Sequence, residues 1–250
     1  MAVPGLGPTA IVAALPEEIS RIVRATRAVS TVRVGSRRAV CGRIGRAPVL
    51  VLATGDGRQA ARDGLAALLD AVPAGAVIAV GVAGGLTHVL GPGSLVVARR
   101  VLDDGNTAAE ADPAWLRRAE RVGGAAIGVC VTTDRILGRA AEKRAVGHAV
   151  GDAVPATVDL ESAAYGRVAT ERGVPFLAVR AVSDAAWEDL PLDFNAFRGP
   201  DGGVIRHRVV VHALGHPRSV PGLVRLRRRV AVCADRLARF VSALLDGGTP

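Results

Sequence analysis

The chain has 250 residues, of which 50% are hydrophobic and 22% charged, with 30 glycines and a formal net charge of +9. That length and apolar content fit one large globular domain or at most two small ones. They exclude a disordered chain, which needs fewer apolar side chains and a larger charge excess. No apolar stretch reaches the roughly 18–20 residues that span a bilayer, and Met1-Ala2-Val3-Pro4-Gly5 lacks the basic and apolar regions of a signal peptide, so a cytoplasmic protein is expected.

Along the chain, short aliphatic runs alternate with helical patterns. This predicts an α/β fold with a mixed, largely parallel central sheet flanked by helices. A strand over 11–15 precedes a helix over 17–28. Strands over 39–44 and 49–54 lead into a helix over 58–71. Strands over 76–82 and 94–102 are followed by a helix over 113–121, a strand over 126–132 and a helix over 139–150. A strand over 157–160, a helix over 162–172 and a strand over 176–182 complete the core.

The last segment has a different pattern. Leu223, Leu226, Val230, Cys233, Leu237, Phe240 or Val241, and Leu244 recur at spacings of three and four, which predicts one long amphipathic helix. Ser219 or Pro221 can start it and Gly247-Gly248 can end it. The expected organisation is a single domain over 1–250, with a core over about 10–200 and a helical extension over about 201–250. Nine arginines lie between Arg206 and Leu245 against one acid, Asp235, while Lys143 is the chain's one lysine. Such a basic segment suits a solvated helix face, an anionic membrane surface or nucleic acid.

Cysteines 41, 130 and 233 are odd in number, far apart and set among aliphatic residues. Reduced, buried thiols fit that pattern better than disulfides or zinc ligands. His207, His212 and His216 lack an accompanying acid in a metal-binding arrangement, so no metal is expected.

Three kinds of segment carry residues suited to chemistry. Gly55-Asp56-Gly57 with Ala60 satisfies G-x-G-x-x-A, but the next strand ends in Gly81-Val82-Ala83-Gly84-Gly85, with no ribose-binding acid, so a dinucleotide fold is rejected. The Gly81–Leu86 stretch instead offers backbone amides at the carboxyl end of a buried strand. Asp159-Leu160-Glu161 and Ser183-Asp184 place acids at two further strand ends. Singly, Asp159, Glu161 or Asp184 reads as well as a helix cap or first-turn acid. Together they point to one ligand crevice at the sheet's carboxyl edge.

In order, Val12-Ala13-Ala14-Leu15-Pro16-Glu17-Glu18, Gly81–Leu86, Val158-Asp159-Leu160-Glu161-Ser162-Ala163-Ala164 and Phe176–Asp184 resemble the nucleoside phosphorylase and nucleosidase superfamily, with motifs similar to methylthioadenosine/S-adenosylhomocysteine nucleosidases. The stretch from Gly199 to Val204, Pro217 and Pro221-Gly222-Leu223-Val224-Arg225-Leu226 resembles the hopanoid-associated phosphorylases, which release adenine from adenosylhopane.

The resemblance implies cleavage of a purine N-glycosidic bond, with adenosylhopane as the first expected substrate and methylthioadenosine or S-adenosylhomocysteine as the alternative. It implies that Asp184 protonates the purine, oriented by Ser183, and that Glu161 holds the ribose hydroxyls beside Leu160. Glu18 positions or deprotonates a water, amides around Ala83 and Gly84 cradle the nucleophile, and backbone near Ile136 and Leu137 faces the purine. No cofactor is implied. Inorganic phosphate remains open as a co-substrate, with Arg21 a candidate cation for it, and Val82 standing where many phosphorylases have serine favours water. Trp187, Phe194 and Phe197 read as core or as a lid over an apolar ribose substituent. A homo-oligomer is implied, with peripheral contact to an anionic membrane open. Competing readings are a nucleic-acid-binding protein, for which 3% aromatics supply little base stacking, and a nucleoside sensor.

Overall fold

The computed structural model describes residues 7–199 and 219–247. All five residues of β1 (Thr9–Ala13) are buried, and a strand covered on both faces needs no polar alternation. α1 (Pro16–Ala25) follows at once, with Pro16 at its start and the Glu18 carboxylate accepting the Leu15 amide at 2.8 Å. β2 (Arg27–Val34), β3 (Arg37–Ile44) and β4 (Ala47–Ala53) form an antiparallel meander. α2 (Arg58–Ala71) returns the chain to β5 (Ala76–Gly85), and β6 (Leu95–Asp103) pairs with β7 (Asn106–Glu110). α3 (Pro113–Val122) is capped by Asp112, whose side chain accepts the Ala114 and Trp115 amides. There follow β8 (Ala126–Thr132), α4 (Ala140–Val150), β9 (Ala156–Asp159), α5 (Ser162–Glu171) and β10 (Phe176–Asp184). A short 3-10 turn at Phe194–Phe197 and the long α6 (Val220–Asp246) complete the described chain.

The ten strands of the described residues join in the order β10-β6-β8-β9-β5-β1-β4-β3-β2, with β7 outside β6, and β10 also pairs with β5. That extra pairing closes β5, β10, β6, β8 and β9 into a ring and leaves β1, β4, β3 and β2 as an open wing. The sheet is mixed. β4, β1, β5 and β10 run parallel, as do β6, β8 and β9, while β10–β6 and β9–β5 are antiparallel. Residues of β1 and β5 alternate between two cores. Val12, Val77 and Ala79 pack with Leu65 of α2 and Tyr165 of α5. Ile11, Ile78 and Val80 pack with Ile19 and Ile22 of α1 and with Leu237, Val241 and Leu244 of α6.

The expected α/β architecture with a terminal helix is present, and three local expectations are corrected. α1 stops at Ala25, where Thr26 folds its amide and hydroxyl onto the Ile22 carbonyl and Ala28 takes a φ of +53°, so 27–28 begin β2. β2 is almost wholly exposed and β7 is short and polar, so neither shows an apolar period. The strand expected over 76–82 is longer: β5 runs on to Gly85, because Gly84 and Gly85 pair with β9 and Ala83 and Gly84 with β10.

α6 packs its apolar stripe on the sheet through its second half, with Cys233, Leu237, Val241 and Leu244 inaccessible to solvent. Its first half leaves Val220, Val224 and Val232 exposed. No helix among the described residues is long and apolar enough to cross a membrane. Cys130 and Cys233 are buried and Cys41 is half-buried. The three histidines and most of the 199–217 segment expected to carry the hopanoid-associated resemblance lie outside the described residues.

Candidate active site

Strand ends from across the sheet open onto one cavity of about 480 Å³. Glu18 enters from the first turn of α1, Ala83 and Gly84 from β5, and Ile136 and Leu137 from the segment after β8. Leu160 and Glu161 enter from the β9–α5 junction, and Ser183 and Asp184 from the end of β10. All nine residues expected at the site therefore line the same cavity. Phe194 lines it too, whereas Trp187 is 53% exposed and outside it. Arg21 is also elsewhere: it pairs with Asp235 of α6 at 2.8 Å on a half-exposed surface, because α1 turns that face toward α6 and away from the cavity.

Each carboxylate has a distinct setting. Glu18 is buried, with Oε1 accepting the Val82 amide and Oε2 the Leu15 amide, both at 2.8 Å. Burial pushes its carboxyl up from the usual range, and the two amides and the Arg180 charge only partly oppose that. Room for this arrangement comes from Gly81, where a Cβ would stand 2.7 Å from the Arg180 guanidinium and 2.9 Å from Glu18 Oε1. Glu161 is at the N-terminus of α5 without capping it; its Oε1 instead accepts the Gly57 amide at 2.8 Å. Burial, with Asp159 and Asp56 nearby, pushes its carboxyl well above the usual range.

Asp159 does take the cap-like role, accepting the Ser162 amide at 3.1 Å, and it also receives the Thr132 hydroxyl and Arg180 Nε, each at 2.8 Å. Asp184 does not cap the segment that follows it. Its Oδ1 accepts the Ser183 hydroxyl and its Oδ2 the Lys143 ammonium, each at 2.7 Å.

Several residues of the site were not singled out from the sequence. Lys143 rises from α4 and is wholly buried; its signal was its isolation as the one lysine among arginines. Arg180 was only part of a strand motif, yet it lies among Asp159, Glu18 and Glu161. Asp56 lines the cavity and Gly57 holds Glu161, so the rejected glycine motif does serve the site. Leu223, Leu226, Arg227 and Val230, on one face of α6, form an outer wall. The arrangement combines a strongly acidic floor, suited to stabilising a developing cation, with largely apolar walls.

Residues 8–200 match the phosphorylase superfamily. The 5'-methylthioadenosine/S-adenosylhomocysteine nucleosidase of Listeria monocytogenes serovar 1/2a is 25% identical over 212 residues, covering 75% of this chain and 90% of that protein. The fold is similar to the S-adenosylhomocysteine nucleosidase of Streptococcus pyogenes solved with 5-methylthiotubericidin, with a TM-score of 0.77, 20% identity and full coverage of both chains. It is also similar to the 5'-methylthioadenosine/S-adenosylhomocysteine nucleosidase of Neisseria meningitidis solved with methylthio-immucillin-A, with a TM-score of 0.74 and 20% identity over 96% of this chain and 98% of that one. With its residues 8–200 matching and its strand ends gathered on one acidic cavity, the chain belongs to the phosphorylase superfamily.

Proposed function

We propose that the protein is an N-ribosyl hydrolase that releases adenine from 5'-thio-substituted adenosines, methylthioadenosine and S-adenosylhomocysteine. The observation that carries this reading is the meeting of Glu18, Glu161 and Asp184 in one cavity, and the character of the relatives supports it. Asp184, steadied by Ser183, serves the purine ring as the bond between C1' and N9 breaks and electrons move onto the base. Glu161 accepts hydrogen bonds from the ribose hydroxyls and favours the cationic sugar. A water adds to C1' and gives its proton to Glu18. Its carboxyl is raised by burial, which makes it a better base than an ordinary glutamate.

Water fits better than phosphate. Glu18 already occupies the Leu15 and Val82 amides, the cavity floor is acidic, and Arg21 is turned away. A dianion would meet repulsion there.

A second reading, adenosylhopane as substrate, is favoured by the outer wall. Leu190, Phe194, Leu223, Leu226 and Val230 would suit an apolar 5' substituent. Exposed Val220, Val224 and Val232 among arginines of α6 would suit contact with anionic lipid.

The test is incubation with each of the three nucleosides, with and without phosphate, following adenine and the sugar product. The expected result is adenine and a free 5'-substituted ribose at a rate indifferent to phosphate, fastest for a thioadenosine. Phosphate-dependent formation of a ribose 1-phosphate overturns hydrolysis. Adenine from adenosylhopane alone moves the substrate to the second reading, and no adenine from any of them refutes the activity.

A further inference from the structure

We infer that Lys143 is a positioning residue that works through Asp184, aiming that carboxylate and supplying, through it, the proton that leaves with the purine. The inference rests on the N-ribosyl reading above. The ammonium is inaccessible to solvent and divides its donors between Asp184 Oδ2 and the Ala185 carbonyl, both at 2.7 Å. Its stem packs beside Gly84, where an added Cβ would stand 3.6 Å from Lys143 Cδ and 3.4 Å from Asp184 Oδ2. Every other cationic side chain of the Lys and Arg class in the chain is arginine. A compact ammonium can give up a proton, which a guanidinium does not do.

Ser183 engages Oδ1 and Lys143 donates to Oδ2, so the Lys143 ammonium is a buried proton source in direct contact with Asp184. Departure of the base then draws a proton along the pair. A Lys143 N–H bond breaks as Asp184 receives the proton, Asp184 passes its proton to the purine ring nitrogen, and the electrons of the C1'–N9 bond remain on the base. Adenine leaves neutral, Lys143 is left as a neutral amine, and Asp184 is a carboxylate again. The water proton taken by Glu18 returns to solvent, from which Lys143 is recharged. Other charged groups bear on the pair: Glu188 and Asp189, which feel the Lys143 charge from the loop after β10, and Arg229 of α6, which is paired with Glu188 and feels Asp184. All three persist in the variants below; Lys143→Met and Lys143→Gln remove the pull of the ammonium on Glu188 and Asp189, and Lys143→Arg retains a positive charge there.

The test measures kcat and KM for methylthioadenosine from about pH 5.5 to about pH 8.5 in the wild type, Lys143→Met, Lys143→Gln and Lys143→Arg, with thermal unfolding to verify folding. Lys143→Met and Lys143→Gln are expected to lose about 100-fold in kcat near pH 8, with KM changed less than about threefold. The ratio to wild type should recover to within about tenfold near pH 5.5, where protons from solvent replace the one that Lys143 supplies. Lys143→Arg, which keeps the charge but not the ready proton, should fall between the wild type and these two variants, with no recovery at low pH. A deficit equal at all pH values in the Met and Gln variants, or none, overturns the inference. If the wild type turns over no nucleoside, the proposed activity fails by itself and adenine binding decides Lys143. Affinity at least about tenfold weaker in Lys143→Met near pH 8 and restored near pH 5.5 supports the pairing role, and equal affinity at both overturns it.

Discussion

Glu161 shows how one carboxyl can serve chemistry at the expense of stability. Burial and its acidic neighbours raise it well above the usual glutamate value of 4.5, so the folded protein binds its proton more tightly than the unfolded chain does. Its contribution to stability is therefore complete below that usual value and is lost as pH rises through the raised one. Glu161→Gln keeps an oxygen for the Gly57 amide and removes the charge. The variant should melt at the wild-type temperature near pH 4, and near pH 8 should melt higher, by about 2–4 °C for each kcal/mol relieved. Its kcat should fall at least about 100-fold. Thermal melts at the two pH values with kinetics on the same samples check this, and a variant that melts lower near pH 8 contradicts it. Glu161 was legible in the sequence because it closes an apolar run at a helix start. Its partner Gly57 was not: the two are 104 residues apart, and no local pattern reports a contact of that range. Lys143 was hidden for the same reason, since its helix pattern says nothing of Asp184, its partner 41 residues further along the chain.

At the scale of elements, legibility followed burial. β10 is buried along its whole length and β1 likewise, and both stand out as mostly apolar runs, interrupted in β10 by Arg180 before its Ser183-Asp184 end. β2 is exposed at the sheet's edge, and its Arg-Ala-Val-Ser-Thr-Val-Arg-Val sequence carries no signal that separates it from the end of the preceding helix. Gly84 and Gly85 lie beyond the strand expected over 76–82. They are strand residues because the ring brings β9 and β10 against them, and Gly81 must leave space for Glu18 and Arg180. α6 was legible as a helix but not as two functional halves. Leu237→Ala, in the buried half, should cost about 2–5 kcal/mol of unfolding free energy, while Val232→Ser, in the exposed half, should change it by less than about 0.5 kcal/mol. Denaturant titration separates the two; similar losses would mean that the exposed half of α6 is held as tightly as the buried one.

For the whole molecule, closure of β5, β10, β6, β8 and β9 into a ring matters most, because it turns strand ends that are distant in sequence toward a single opening. The α/β class and the acids at the strand ends could be read from the chain. The closure could not, since it depends on β10 pairing on both sides, with β5 in parallel and β6 in antiparallel register. Nor could the covering of the cavity by α6, which starts over 200 residues after β1 and lays four side chains on its outer wall. The charge distribution follows the same geometry: Glu18, Glu161 and Asp184 gather in the cavity with Arg180 and Lys143 beside them, while Arg225 and Arg228 of α6 are exposed.

The claim beneath all of this is that the cavity holds a purine against Asp184 with its sugar toward Glu161. A crystal structure of the protein with adenine tests it most directly. The expected result is the base in that cavity, with a ring nitrogen within hydrogen-bonding distance of the Asp184 carboxylate and its glycosidic nitrogen facing the space beside Glu161. Adenine bound elsewhere, or in the cavity without touching Asp184, would contradict the account.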